Sequence, residues 1–273
     1  MIPMRQSPAE DSNALLVPDA RGTRAAAAKR AAPRRTAGNV AWLRRTRQSQ
    51  GLGEAGDVIL LGGASIVDFR IRVAQSHARH DLTPSYWSIV GLMVDAGSFL
   101  SAPLSTGDDP ALVPATNGIA TLSMNDYDDA TRYPNVAILR FPGASSKVLD
   151  GIEGLRTRRS IADLPALVVA WLGFAWGTAG SGNPLIDGFG IPSAVLVETA
   201  FGLADVELTP GLASASSCPE AIWQSVKWWQ DFYAQAVAGE AADAKPSKAT
   251  SPWGRYLIRQ RQASYLEPEA PRR

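Results

Sequence analysis

Short, continuously apolar runs recur in the first half of the chain, and longer runs with helical spacing follow in the second. Val58–Leu61 lies between the turn at Gly53–Asp57 and two glycines, a pattern that predicts a buried strand. Tyr86–Asp95 (YWSIVGLMVD), Ile119–Leu122 and Val136–Phe141 (VAILRF) read as three more. Phe69–His77 (FRIRVAQSH) fits either a helix or an extended segment. Ser160, with Asp163 three residues on, predicts the capped start of a helix over Ile161–Trp176. A second helix is expected from Ser193 to Leu203, entered through Pro192, and a third from Cys218–Pro219 to Ala238. On the third, Ile222, Val226, Trp229 and Tyr233 share one face and read as core.

Outside these elements the pattern breaks down. Residues 1–52 mix Ala, Arg, Pro and Ser without hydrophobic period and read as a disordered arm, with room for a short helix around Asn39–Thr46. Order is expected to begin at Gly53–Asp57, the domain to run over 53–238, and 239–273 to be a linker and basic tail.

Composition adds constraints. With 45% apolar residues and 8 Trp the chain can bury a sizeable core. The single cysteine, Cys218, excludes an intrachain disulfide framework and a cysteine-rich zinc site, and His77 and His80 are the only imidazoles. Charge is uneven: the first fifty residues carry Arg5, Arg21, Arg24, Lys29, Arg30, Arg34, Arg35, Arg44, Arg45 and Arg47 against Glu10, Asp11 and Asp19. Such an arm suits an acidic partner (nucleic acid, anionic lipid or an acidic protein) or simply keeps the chain dissolved. The arm faintly resembles an organelle transit peptide but lacks the apolar core of a secretory signal. Leu164–Ala179 is the most apolar stretch and is shorter than the roughly 20 residues that span a bilayer, so no transmembrane segment is expected and a cytoplasmic location is.

Several sharper motifs fail. Asp126, Asp128 and Asp129 lack the glycine and downstream Glu of a calcium loop and read as a solvated turn. Leu61–Ser65 (LGGAS) lacks the spacing and the Lys of a phosphate loop. Ser160, Ser193 and Ser225 sit in no Gly-x-Ser-x-Gly elbow. Gly180–Gly190 is a connecting loop, or one that gates a cleft. No metal or cofactor is expected.

Three segments together resemble the permuted papain-like amidases (the YaeF/YiiX group), relatives of the NlpC-type cysteine peptidases. Gly56–Leu61 (GDVILL) is similar to that family's opening strand. Tyr86–Asp95 is similar to its Ser-His-Val-Gly strand, and Ser193–Gly211 (SAVLVETAFGLADVELTPG) to the helix opened by Cys-Ser-x-Leu-Val and closed by Leu-x-Pro-Gly. Gly118–Tyr127 and Val136–Arg140 keep the same order, so the resemblance spans roughly residues 53–235. It implies an α+β fold, a small, mostly antiparallel sheet packed against helices.

In that family a cysteine at a helix N-terminus, held toward thiolate by the helix dipole, passes its proton to a strand histidine that a third polar residue orients. Here Ile89 stands in the place of the histidine, Ser193 in the place of the cysteine, and Pro114 where the third residue would come from. Isoleucine accepts no proton, and a serine without a base is a poor nucleophile. The resemblance therefore implies an inactive or impaired thiol amidase that keeps a cleft for a peptide, lipid or acyl-type ligand. Independently of the resemblance, the basic arm suits an adaptor that docks on nucleic acid or membrane while the domain serves as scaffold. The alternative is an active hydrolase or acyltransferase on an amide or ester, with Cys218 at the start of the next helix as nucleophile and His80 or His77 as base. Against that stands the plainer reading of Cys218 as a small buried or capping residue.

Overall fold

A computed structural model describes residues 16–18, 37–104, 116–143, 146–178, 180–238 and 251–260. Of the expected arm and tail, residues 1–15, 19–36, 239–250 and 261–273 lie outside it, as does Pro114. Seven strands form one sheet: β1 (Leu16–Pro18), β2 (Val58–Gly62), β3 (Ile89–Met93), β4 (Ser98–Ser101), β5 (Ala120–Ser123), β6 (Asn135–Arg140) and β7 (Trp253–Ile258). Their spatial order is β1-β7-β6-β2-β3-β4-β5. Every pairing is antiparallel except β1 with β7. Among the described residues six helices accompany them: α1 (Asn39–Gln50), α2 (Ile66–Ala74), α3 (Ser146–Thr157), α4 (Leu164–Ala175), α5 (Pro192–Gly202) and α6 (Pro219–Ala238). The fold is α+β, a mostly antiparallel sheet against helices, as the sequence implied.

The sheet is covered on both faces, which is why β2, β3 and β6 read as unbroken apolar runs rather than as alternation. Val58, Leu60, Val90, Leu92, Ala137 and Leu139 join the larger core with α3, α4, α5 and α6. Ile59, Leu61, Met93, Val136 and Ile138 point the other way, onto Trp42 and Leu43 of α1 and the Met124–Tyr127 turn. Side chains alternate along each strand, so neighbouring residues serve opposite cores.

The domain boundaries differ from those expected. Folded chain begins upstream of Gly53, because α1 runs to Gln50 and buries Trp42 and Leu43. Gly51 ends it in the left-handed region at φ 69°. Polar side chains from outside anchor its start. Asn39 donates to the carbonyls of Tyr127 and Tyr133, each at 2.8 Å, and the Asp128 carboxylate accepts from Val40 N–H at 2.7 Å. Part of the acidic loop is thus a helix cap rather than only a solvated turn. The expected tail also contributes β7, an interior strand between β6 and β1. In the run WGRYLI, Arg255 and the Lys/Pro-rich stretch before it mask the strand pattern.

Of the two readings of Phe69–His77 the helical one holds, over Ile66–Ala74, capped by Ser65 through Asp68 N–H. Smaller corrections follow. The cap of α4 is Asp163, accepting from Ala166 N–H at 3.2 Å, and not Ser160. The strand expected over Tyr86–Asp95 is confined to Ile89–Met93. Strand β4 and helix α3 had no counterpart in the sequence reading.

Candidate functional site

Two helix starts carry the residues singled out from the sequence, and the chain holds them side by side. Gly190 and Ile191, just ahead of α5, donate backbone hydrogen bonds to Ala215 and Ser217, just ahead of α6, at 2.7 and 2.9 Å. The Trp171 indole donates to Gly190 O at 2.8 Å. A Cβ at residue 190 would stand 2.6 Å from Ser217 O and 2.7 Å from Ala215 O, so only glycine fits this junction.

Ser193 occupies the first turn of α5 behind Pro192 and is buried. Its hydroxyl accepts from Val90 N–H at 3.4 Å, tying the helix to the middle of the sheet. Ile89, one residue earlier on β3, packs against the second core on the opposite face. Ser193 and Ile89 therefore do not face one another. The period of two along the strand turns Val90, not Ile89, toward α5.

Cys218 directly precedes α6, and its carbonyl accepts from Ala221 and Ile222 N–H, the backbone arrangement expected for a helix start. The thiol is buried with the apolar core, and burial pushes it up to about 12. The nearby Glu220 and Glu198 carboxylates push in the same direction. This is the opposite of the electrostatics that make a cysteine nucleophilic. His77 and His80 are exposed, in and just after the short Ser76–Ala78 turn. Burial thus separates the thiol from the surface on which both imidazoles lie.

The polar groups that do converge here were not singled out in the sequence. Glu220, fully buried in the first turn of α6, accepts from Ser85 Oγ at 2.6 Å, from Arg79 at 3.3 Å and from Gln224. Its own N–H donates to Gln75 Oε1 at 2.9 Å, and Gln75 donates in turn to Ile71 O and Trp87 O. Burial raises the Glu220 carboxyl, and its hydrogen bonds and the Arg79 charge hold it back. Arg79 also forks onto Asp81 at 2.8 and 2.9 Å and lies 4.7 Å over the Tyr86 ring. On α5, Glu198 accepts from Thr209 at 2.6 Å and Ser217 at 3.2 Å and is likewise raised by burial. A third cluster joins Asp68 to Ser65 and Ser88 at 2.6 and 2.7 Å. In the sequence, Glu198 and Glu220 among apolar helix residues are the available signal, while Arg79 lies in a polar segment that marks nothing.

Chemically, each carboxylate is consumed by internal donors, and the serine and cysteine are held inside the core. Among the described residues no group of three or more His, Cys, Asp or Glu side chains is placed to hold a metal ion. None of the described helices is long and apolar enough to cross a membrane. No family model, no curated protein and no solved structure matches this chain.

Proposed function

We propose that this chain is a catalytically inactive relative of the permuted papain-like amidases, acting by binding an apolar ligand rather than by hydrolysis. The observation that carries the reading is the state of the α5 start. Ser193 is buried against Val90 N–H with no imidazole beside it, while the one thiol is pushed up to about 12. A thiol or hydroxyl without a base does not generate a nucleophile near neutral pH.

The surface leading to α5 supports the ligand class. Ile186 is 74% and Phe189 51% exposed on the Gly180–Gly190 loop, and Trp176 follows α4 at 59%. Apolar side chains exposed on a loop that ends at a helix start suit an acyl chain or an apolar peptide side chain.

Two measurements test the two halves. Iodoacetamide labelling of the folded protein across pH should leave Cys218 unmodified until denaturant is added. Labelling with an apparent pKa well below the free-thiol value of about 8.5, abolished by replacing His77 and His80, would restore the hydrolase reading. For binding, dansyl-undecanoate fluorescence should rise on titration with the protein, and the rise should be lost in an Ile186→Ser/Phe189→Ser variant. An equal rise with that variant removes the loop from the site.

A further inference from the structure

Between Ser160 and Val226 the chain carries no Lys or Arg, while Asp163, Asp187, Glu198, Asp205, Glu207 and Glu220 all fall there. This stretch builds α4, the Gly180–Gly190 loop, α5 and the 203–217 segment that returns to α6. Some of its acids are already satisfied. Asp163 pairs with Arg159 at 2.7 Å, Glu220 with Arg79 at 3.3 Å, and Glu198 holds Thr209 and Ser217. Asp187, Asp205 and Glu207 are exposed, and no cation among the described residues pairs with any of them.

Exposed apolar side chains stand beside these charges. Ile186 and Phe189 flank Asp187 on the loop, and Leu212 is exposed on the returning segment. The Ser216 hydroxyl donates to Gly188 O at 2.9 Å and Gly190 N–H to Ala215 O at 2.7 Å, so the turn after Leu212 lies against the loop. Burial raises the Glu198 carboxyl and the Glu207 charge pushes it the same way, so these two carboxylates are near neighbours. Ser217, which donates to Glu198, accepts from Ile191 N–H at 2.9 Å, two residues past Phe189. Arg70, which reaches the end of α4 from α2, is tied to Ala175 O at 2.9 Å. Apolar groups and unpaired negative charge are thus presented on neighbouring segments.

We propose that Ile186, Phe189 and Leu212, with Asp187 and Glu207, dock a basic amphipathic helix of another protein. Carboxylates without a counter-charge repel one another, and exposed apolar groups order water around them. A helix that lays down an apolar face edged with Lys or Arg relieves both at once. The charge also decides against other occupants. An anionic bilayer or a nucleic acid would meet charge of its own sign here. The inference rests on the reading of the Gly180–Gly190 loop as a ligand site, and names a cationic peptide as the partner of that site.

The test is fluorescence anisotropy of the full chain with a labelled amphipathic peptide of Leu and Lys, and with a Leu/Glu peptide of the same length and pattern. The Leu/Lys peptide should bind at least tenfold more tightly than the Leu/Glu one, and the preference should shrink as salt screens the charges. Asp187→Asn/Glu207→Gln should weaken the Leu/Lys peptide by about tenfold. Both side chains are exposed and outside any ion pair, so the fold should survive the change. Asp126→Asn/Asp231→Asn, which removes the same charge from other exposed positions, should bind as wild type. Dansyl-undecanoate reads the apolar site without the cation and separates the two claims. If its fluorescence rises while the two peptides bind equally, or while Asp187→Asn/Glu207→Gln holds the Leu/Lys peptide undiminished, the basic partner is overturned and the ligand site stands. Binding of neither the fatty probe nor the peptides overturns both.

Discussion

The starts of α5 and α6 lie against one another yet are held in opposite ways. The α5 start is secured by backbone hydrogen bonds, a glycine with no room for a Cβ and a buried apolar helix, with Ser193 as a minor polar contact. The α6 start is secured by charge: a buried Glu220 takes donors from Ser85, Arg79 and Gln224 while its N–H goes to Gln75. The comparison teaches that two adjacent helix starts can be fixed by different physics, one by close packing and one by a buried polar latch.

The largest effect should come from the latch. Glu220→Ala leaves the mostly buried Arg79 without one of its carboxylates and Ser85 and Gln224 without their acceptor, and should cost about 3–5 kcal/mol in urea unfolding. Glu220→Gln keeps an acceptor and should cost clearly less. Equal losses would show that the volume, not the charge, matters.

Gly190→Ala should come next, at about 2–3 kcal/mol, because the added Cβ meets two backbone carbonyls that must shift. A urea midpoint within error of wild type would mean the junction between the helix starts is loose.

A smaller, pH-dependent effect is expected at Glu198. Burial raises its carboxyl in the folded state above the unfolded value, so the folded protein binds the proton more tightly. Stability contributed by the protonated form is full below the unfolded pKa and is lost as pH rises through the folded one. Glu198→Gln, which keeps an acceptor for Thr209 and Ser217, should therefore gain on the wild type between pH 4 and pH 8, by on the order of 1 kcal/mol. A stability difference that is flat over that range would sink the assignment.

The smallest effect belongs to Ser193. Its one hydrogen bond is long at 3.4 Å, so Ser193→Ala should change stability by about 0.5 kcal/mol. Ser193→Cys should create no hydrolase activity, since Val90 rather than an imidazole faces it. Turnover of an ester substrate by that variant would refute the inactive reading.

The apolar runs at Val58–Leu61 and Val136–Phe141 became strands, and Pro192 and Pro219 opened helices, because burial and local backbone preference act at short range. By contrast, WGRYLI falls in the expected tail, and of the helix over Asn39–Gln50 the sequence suggests only a short piece around Asn39–Thr46 within the expected arm. Their partners lie far off in sequence: Trp253 pairs with Arg140, and Asn39 is held by Tyr127 and Tyr133. The candidate site divides in the same way. That Ser193 and Ile89 cannot form a nucleophile–base pair can be read from the residues alone. That they lie on opposite faces follows from strand register.

By itself, then, the sequence determined the positions of the principal strands and helices and the scarcity of groups that could serve as a base, His77 and His80 being the only imidazoles. Only the tertiary structure decided that Cys218 is buried away from water, that Glu220, Arg79, Ser85 and Gln75 form one latch, and that both chain ends complete the sheet. The physical reason is range. Periodicity and backbone preference are written within a few residues, whereas desolvation and ion pairing depend on groups brought together from as far as 141 positions apart.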